Sequence, residues 1–444
     1  MPPYSPSLYI TVNFTVSMGT PMAYVTSERN GQKIAVLAYS GGLDTSVAIK
    51  WIRDRYAVEV VTVSVDVGQR EDLDEAASRA EQNGALRSMI VDAKDEFAQE
   101  YISHAIKANA LYEGKYPLST ALARPLIASK VAAVAKKYGA SYVAHGCTGK
   151  GNDQVRFELT FFALDPSLKV IAPIREWEMN REDEIEFARK NGIRLKRSQA
   201  SRFSTDENLW GRSIEGGELE DPWVSPPEEI FDWTSHPEDW PDEPTTMEIE
   251  FASGLPIALN GEEMSIAELT AKLNAVAGAN GIGRIDHVED RYVGIKSREN
   301  YECPAASVLI QAHRALESLV LSKDTLLFKP IVENKFSELV YNGMWFSDLR
   351  ISVCHFIDKT QQNVTGKVKV RLYKGQSTVC GTISPNSIYS HDLSTYGRKD
   401  TFNQKAAEGF IYISGLHMRG VAARELESIH VKERTLERKI QKTA

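Results

Sequence analysis

The chain has 444 residues, of which 42% are hydrophobic and 25% charged, a composition typical of a globular protein with two or three domains. Its net charge of −8 argues against a large nucleic-acid surface, because phosphate binding depends mainly on clustered Lys and Arg. No apolar run approaches the roughly 18 residues that a membrane-spanning helix needs. We therefore expect neither a nucleic-acid partner nor a membrane partner.

The first part of the chain has the pattern of an α/β nucleotide-binding domain. Residues 1–32 are expected to be a disordered N-terminal extension. From residue 33 to 197, short apolar strands alternate with amphipathic helices, which predicts a doubly wound parallel sheet. The predicted strands are residues 33–38, 58–66, 88–91, 142–144 and 169–171.

The second part has an α+β pattern and is predicted to form a further domain over residues 198–405. It includes a linker at 221–244, where six prolines and three tryptophans alternate with acids. Hairpins are predicted around Gly254 and across residues 374–376. The tail, residues 406–444, contains a charged helix whose apolar stripe is too thin for a monomer core. We expect this tail to mediate oligomerisation.

The four cysteines are too far apart to form a C-x-x-C redox or zinc pair. They are predicted to be reduced thiols of a cytoplasmic protein. The four are Cys147, Cys303, Cys354 and Cys380.

A glycine-containing loop follows the first predicted strand and opens a helix. Gly41 and Gly42 permit positive φ, and the helix N-terminus offers free N–H groups to an anion. The loop has no Walker lysine and no G-x-G-x-x-G pattern, which disfavours γ-phosphoryl transfer and dinucleotide binding. It predicts a phosphate site of another kind.

A second glycine-rich loop follows the strand at 142–144. Thr148, Asn152, Asp153 and Arg156 lie within nine residues, and together they can bind the ammonium and carboxylate groups of an amino acid. His145 precedes this loop and is interpreted as structural rather than as a general base.

The S-G-G-L-D-T-S sequence at 40–46 resembles the loop of the ATP pyrophosphatases. With T-G-K-G-N-D-Q-V-R-F-E at 148–158, the chain is similar to the argininosuccinate synthetase family over residues 33–444. The resemblance implies that the ureido oxygen of citrulline attacks the α-phosphate of ATP, pyrophosphate leaves, and the amine of aspartate displaces AMP. It also implies a homotetramer. Mg²⁺ is expected to bridge the ATP phosphates without a dedicated protein site.

The resemblance also implies the site residues. Those that bind ATP are Ala38, Tyr39, Ser40, Gly41, Gly42, Leu43, Asp44, Thr45, Ser46, Val65 and Gly146. Those that bind aspartate are Thr148, Asn152 and Asp153. Those that bind citrulline are Tyr116, Asn152, Arg156, Ser204, Ser213, Glu289 and Tyr301. No acid or base catalyst is implied, and Asp44 and Asp153 are expected to act by positioning.

For several residues and for the function, alternative interpretations remain open. Without the resemblance, Glu289 fits a surface ion pair with Arg291 or Lys296, and Tyr301 fits a core aromatic. Ala121 stands where some relatives place a serine that contacts citrulline, so its side chain cannot supply that contact. A tRNA-modifying adenylating pyrophosphatase and a non-catalytic nucleotide-binding protein are the alternative functions; the cysteine spacing disfavours the first, and the intact second loop disfavours the second.

Overall fold

The computed structural model describes residues 33–196 and 202–443, and it divides at Ile388/Tyr389 into two compact units. The predicted extension at 1–32 and the predicted domain boundary at 197/198 lie outside the described residues. Within those residues, no helix combines the length and the apolarity that crossing a bilayer requires.

A five-stranded parallel sheet forms the first part of the larger unit, with the strand order β3-β2-β1-β4-β5. Its strands are β1 Ile34–Ala38, β2 Glu59–Asp66, β3 Arg87–Asp92, β4 Tyr142–Ala144 and β5 Lys169–Ile171. The central strands are apolar because helices cover both faces of the sheet. The predicted α/β class with a doubly wound parallel sheet is confirmed.

The helices of this part connect and flank the strands. They are α1 Leu43–Tyr56, α2 Leu73–Gln82, α3 Lys94–Glu96, α4 Ser103–Lys107, α5 Ser119–Tyr138, α6 Asp153–Leu164, α7 Pro173–Glu176 and α8 Arg181–Lys190. A π-helical turn, Phe97–Ile102, joins α3 to α4. Strand β1 pairs with β2 on one side and with β4 on the other, so the strand order reverses there. A crevice is expected outside the carboxyl ends of the strands at such a reversal.

Two antiparallel sheets complete the larger unit, with strand orders β11-β12-β7-β6 and β10-β9-β8-β13-β14. The strands are β6 Ser204–Asn208, β7 Gly211–Glu215, β8 Thr245–Ala252, β9 Leu255–Leu259, β10 Glu262–Glu263, β11 Arg284–Asp290, β12 Lys296–Glu302, β13 Gly366–Tyr373 and β14 Gln376–Ile383. The helices are α9 Ile266–Ala279, α10 Pro304–Val320, α11 Lys323–Tyr341 and α12 Asp348–Gln361.

The linker at 221–244 contains no strand and no α-helix; its regular turns are the 3₁₀ helices Glu228–Ile230 and Pro237–Asp239. A buried carboxylate holds it in place. Glu302 accepts hydrogen bonds from the backbone N–H groups of Asp232, Trp233 and Thr234 at 2.8–3.0 Å. By contrast, Trp223 is 94% exposed. The Glu302 carboxylate, together with one arginine each from β7, β11 and β12 that donates to carbonyls of the linker, therefore anchors a segment that cannot form a ladder of its own.

A buried polar cluster joins α10, α11 and the end of α4. The Lys329 ammonium lies 2.9 Å from Glu317 and 2.5 Å from Glu333, and it donates to the Lys107 carbonyl at 2.9 Å. The Asn109 amide donates to both carboxylates at 2.7 Å. This one ammonium therefore sits between two carboxylates that are almost entirely buried.

The smaller unit, from residue 389, is helical. Its helices are α13 His391–Ser394, α14 Ala406–Ser414 and α15 Leu416–Thr443. The charged helix predicted within residues 406–444 is present as α15. Large apolar side chains of α14 and α15 are exposed, among them Phe410 and Met418.

Candidate active site

One cavity of about 850 Å³ lies at the carboxyl ends of β1, β2 and β4. The first loop enters it after β1 and the second after β4, while β6, β7, β11 and β12 contribute side chains from the antiparallel part. Every predicted site residue lines this cavity except Ser46. The cavity thus brings together segments that lie up to about 260 residues apart in the chain.

The first loop leaves the N-terminus of α1 open. Gly41 adopts φ +74°, and Gly42 precedes the helix without a side-chain cap. The first-turn N–H groups of α1 are therefore available to an anion. Ser46 is fully buried, and its hydroxyl lies 3.1 Å from the Tyr39 hydroxyl. Ser46 therefore supports the loop through its contact with Tyr39 and does not line the cavity.

The two loops approach each other closely at Gly146. A Cβ atom at this position would lie 2.7 Å from the Thr45 methyl group. The contact therefore requires glycine, because real Cβ atoms do not come so near a neighbouring atom. It places the second loop directly beside the start of α1.

The β11–β12 turn holds the second loop from the opposite side. The Asn152 amide oxygen accepts the Tyr292 backbone N–H at 2.8 Å, and the Arg291 guanidinium donates to the Lys150 carbonyl at 3.3 Å. Because the oxygen of Asn152 is occupied, its NH₂ group is the part that remains for a ligand. The Gln154 side chain further ties the loop to itself through the Gly149 carbonyl at 2.6 Å.

Two arginines occupy both carboxylate oxygens of Asp153. Arg124 Nε lies 2.8 Å from Oδ2, and Arg156 Nη1 lies 2.9 Å from Oδ1. Burial by itself raises the pKa of Asp153, but the two guanidinium groups outweigh it and hold this pKa below its usual value. Asp153 is therefore a permanently charged bridge between α5 and α6.

Glu289 is buried, only 3% exposed, and both its oxygens are occupied by tyrosine hydroxyls. Tyr301 donates to Oε2 at 2.7 Å, and Tyr341 donates to Oε1 at 2.5 Å. The surface ion pair that the sequence left open for Glu289 is therefore wrong. Tyr301 is buried, as expected for a core aromatic residue. Its hydroxyl nevertheless binds the Glu289 carboxylate, and its ring stacks on that of Tyr116 with 4.1 Å between the ring centroids.

Tyr341 does not line the cavity, but it holds two residues that do, and the sequence did not indicate this role. Its hydroxyl binds Glu289, its carbonyl accepts from Arg156 Nε at 3.0 Å, and its ring lies 5.0 Å below the Arg156 guanidinium. It sits at the end of α11, where a tyrosine in an amphipathic helix is indistinguishable from a core residue. No sequence signal close to the two loops points to it.

Two further acidic side chains line the cavity, Glu215 from β7 and Glu299 from β12. Arg291 contacts both Glu215 and Glu299 at 2.5 Å. Burial, and then the negative charge of Glu215, raise the pKa of Glu299 to about 8. Burial and the charge of Glu215 thus disfavour a second negative charge at this place, while the Arg291 guanidinium favours it.

The remaining predicted residues are placed as follows. Val65 lies at the end of β2, Thr148 on the second loop, Ser204 at the start of β6 and Ser213 in β7. Ala121 is fully buried in α5 and faces no ligand space. The preceding Thr120 lines the cavity, and within the described part of the chain its hydroxyl has no hydrogen-bond partner.

Asp44 has a neighbouring acid that bears on metal binding. Burial, followed by the charge of Asp44, raises the pKa of Glu184 to about 8. One buried oxygen of Glu184 has no partner among the described residues. No cluster of three or more metal-binding side chains occurs in residues 33–196 and 202–443. The donor set thus fits a cation that takes most of its ligands from phosphates.

Comparison with known proteins gives matches over nearly the whole described chain. The model of the arginosuccinate synthase N-terminal HUP domain matches residues 34–194, and that of the arginosuccinate synthase C-terminal domain matches residues 203–421. The argininosuccinate synthase of Brevibacillus brevis is 56% identical over 381 residues, which cover 86% of this chain and 91% of the relative. That of Rubrobacter xylanophilus is 53% identical over 389 residues, 88% of this chain and 95% of the relative.

Among solved structures, the U34-tRNA thiolase NcsA from Methanococcus maripaludis matches with a TM-score of 0.27 and 16% identity. The match covers 39% of this chain and 61% of the thiolase chain. A likeness of this size bears on neither fold nor function.

Proposed function

The chain belongs to the argininosuccinate synthase family of ATP-dependent ligases, and from the geometry of its cavity we propose how it holds ATP, citrulline and aspartate. The observation that carries the proposal is the convergence of an uncapped helix N-terminus, the second glycine-rich loop and the buried Glu289 on one cavity. These features supply, respectively, an anion site, an amino-acid site and a site for a positive charge.

ATP binds, in this proposal, along the carboxyl edge of the parallel sheet. The first-turn N–H groups of α1 and the hydroxyls of Ser40 and Thr45 hold the β,γ-pyrophosphate. Val65 lies beside the adenine, and Gly146 leaves space for the nucleotide. Mg²⁺ would be held by the phosphate oxygens with Asp44 beside them, and it would neutralise charge on the leaving pyrophosphate.

Citrulline is proposed to lie between α6 and β12. Glu289 offers a negative charge to the ammonium group, and Arg156 offers donors to the carboxylate. The hydroxyls of Ser204 and Ser213 complete the pocket from β6 and β7. The unpartnered hydroxyl of Thr120 replaces the contact that Ala121 cannot make.

Aspartate is proposed to bind on the second loop. Thr148 and the free NH₂ group of Asn152 donate to its carboxylates, and Asp153 sets the position of Arg124 and Arg156 around it. Catalysis is then largely a matter of alignment. The ureido oxygen is held in line with the α-phosphate, and the amine is held next to the adenylate.

The reaction provides a direct test of this proposal. The purified protein, supplied with ATP, Mg²⁺, citrulline and aspartate, should release AMP and pyrophosphate in equal amounts. Without aspartate, citrulline should still promote exchange of labelled pyrophosphate into ATP, because the adenylate forms first. Pyrophosphate release that is the same with and without citrulline would contradict the proposal.

We expect Tyr341→Phe to raise KM for citrulline and leave KM for ATP unchanged. The substitution removes one of the two hydroxyls that stabilise the buried Glu289 carboxylate, and a hydrogen bond to a charged group contributes about 1.5–3 kcal/mol, which corresponds to roughly 10- to 100-fold. Steady-state kinetics with each substrate varied in turn would measure the effect.

Tyr112→Phe is the matched control for this variant. The Tyr112 ring stacks on Tyr341 at 3.5 Å, but its hydroxyl donates to the Asp290 carbonyl and not to Glu289. KM for citrulline should therefore stay close to that of the unmodified protein. If both variants changed it equally, the effect would not be specific to the hydrogen bond with Glu289.

Assembly and location complete the proposal. We propose that residues 33–197 bind the nucleotide and carry the second loop, which binds aspartate. Residues 198–405 form the synthetase domain, which completes the citrulline site with Ser204, Ser213, Glu289 and Tyr301. Residues 406–444 mediate assembly into a homotetramer. The exposed apolar side chains of α14 and α15 support a role in self-association. The net charge of −8 supports the absence of a nucleic-acid partner, and the widely spaced cysteines support a cytoplasmic location.

A further inference from the structure

Asp206 shares one guanidinium group with Asp153. Arg124 donates from Nε to Asp153 at 2.8 Å and from Nη2 to Asp206 at 2.7 Å, so it links α6 to β6 across the cavity. The side chain of Asp206 is 33% exposed, and it lines the cavity. It therefore lies beside the proposed aspartate site, although neither loop motif contains it.

The surroundings of Asp153 and Asp206 shift the pKa values of the two carboxyl groups in opposite directions. Asp153 contacts two guanidinium groups, which hold its pKa low. Within residues 33–196 and 202–443, Asp206 forms an ion pair with Arg124 alone, and the charged groups that face it are Arg124 from α5 and Asp153 from α6. Burial raises the pKa of Asp206, Arg124 opposes this shift, and the charge of Asp153 adds to it. When the environments of two neighbouring carboxylates shift their pKa values in opposite directions, the one with the raised pKa, here Asp206, is the one that can exchange a proton.

The second half of the reaction needs a group of this kind. Aspartate arrives with an ammonium group, which has no lone pair until it loses a proton. His145 lines the cavity, but both its ring nitrogens are occupied: one lies 3.2 Å from Glu158, and the other accepts the Cys147 N–H at 3.3 Å. The oxygens of Glu289 are occupied by the two tyrosine hydroxyls.

We propose that Asp206 is the general base of this step: its carboxylate accepts one proton from the ammonium group of bound aspartate. The proposal rests on the proposed function and adds a catalytic residue to it. The freed amine then attacks the carbon of the neutral isourea in citrullyl-adenylate. A C–N bond forms, the C–O bond to AMP breaks, and AMP leaves with the electron pair. The product carries the guanidinium charge, and the single proton stays on Asp206 until solvent removes it.

Asp206→Asn tests the proposal, since an amide keeps an oxygen for Arg124 but cannot accept the proton. At pH 7, formation of argininosuccinate should fall by about 10²- to 10⁴-fold, the usual contribution of a general base. Citrulline-dependent pyrophosphate exchange should change far less, because adenylation precedes this step. As pH rises, the variant should recover about tenfold per unit, because each unit multiplies the fraction of free amine by ten.

Surface Asp54→Asn, which removes a charge that pairs only with Lys50 at 2.7 Å, is the matched control and should behave like the unmodified protein. Full argininosuccinate formation by Asp206→Asn at pH 7 would overturn the proposal. Equal loss of both half-reactions at every pH would also overturn it and would leave Asp206 as a support for Arg124. Failure of the proposed function itself would differ, because the unmodified protein would then lack citrulline-dependent exchange.

Discussion

Arg156→Lys is expected to lower kcat/KM for citrulline by about 10²- to 10³-fold, although the charge is retained. The guanidinium acts through several directions at once: Nη1 binds Asp153, Nε binds the Tyr341 carbonyl, and the planar group lies over the Tyr341 ring. A lysine ammonium is a point charge on a flexible stem, and it cannot reproduce a planar fork. Loss of two charge-assisted hydrogen bonds at about 1.5–3 kcal/mol each corresponds to about 10²- to 10⁴-fold, and we expect the lower part of this range because the positive charge is retained.

Initial rates with citrulline varied at saturating ATP and aspartate measure this effect. ATP binding, followed by calorimetry, should be retained, because Arg156 makes no contact with the first loop among the interactions that the described residues form. Arg284→Lys is the control. The Arg284 guanidinium also binds through several nitrogens, to the Glu228 carboxylate and to the Thr234 hydroxyl. Arg284 lies in β11, contacts the linker at 221–244 and does not line the cavity. Equal losses in both variants would mean that general destabilisation, not substrate geometry, is being measured.

Lys329→Met is expected to destabilise the protein by about 3–5 kcal/mol, the usual cost of removing one partner from a buried ion pair. The methionine fills a similar volume, but it leaves Glu317 and Glu333 with no ammonium between them. Unfolding in urea, followed by the fluorescence of Trp345 and the other tryptophans, should shift to a lower midpoint. Because α10 and α11 lie behind the site, activity per folded molecule should be less affected than stability.

Lys335→Met, on the same helix, provides the comparison. Lys335 and Glu338 are both more than two-fifths exposed, and such surface pairs contribute only about 0–1 kcal/mol. The urea midpoint of this variant should remain near that of the unmodified protein. If Lys329→Met were equally mild, the prediction that this buried ammonium stabilises the fold would be wrong.

The parallel-sheet half was predictable because its signals are local. A strand buried on both faces needs a short apolar run such as Ile34–Ala38, and a helix N-terminus that receives an anion needs nearby glycines such as Gly41 and Gly42. Each requirement involves consecutive residues, so the sequence alone is enough to predict it. The same is true of Gly146, whose motif marks the second loop before any neighbour is known.

The antiparallel strands around the cavity were harder to predict, because their buried residues are polar. In β12, Arg298, Glu299 and Glu302 are buried with partners from other segments, so no alternation of apolar and polar residues appears. The strand β6, Ser204–Asn208, consists entirely of polar residues, so the sequence does not indicate a strand there. Its place in the sheet depends on β7, and its charged side chains face the site.

The sequence by itself therefore determined the fold class of the first half, the two loops and the family, since motif spacing along the chain carries all three. Only the tertiary structure decided how the charges are paired. Arg124 joins Asp153 to Asp206, and Tyr341 joins Arg156 to Glu289, across separations of up to 185 residues. A hydrogen bond or an ion pair depends on distance in space, which spacing along the chain does not record, and so the partners appear only once the chain is folded.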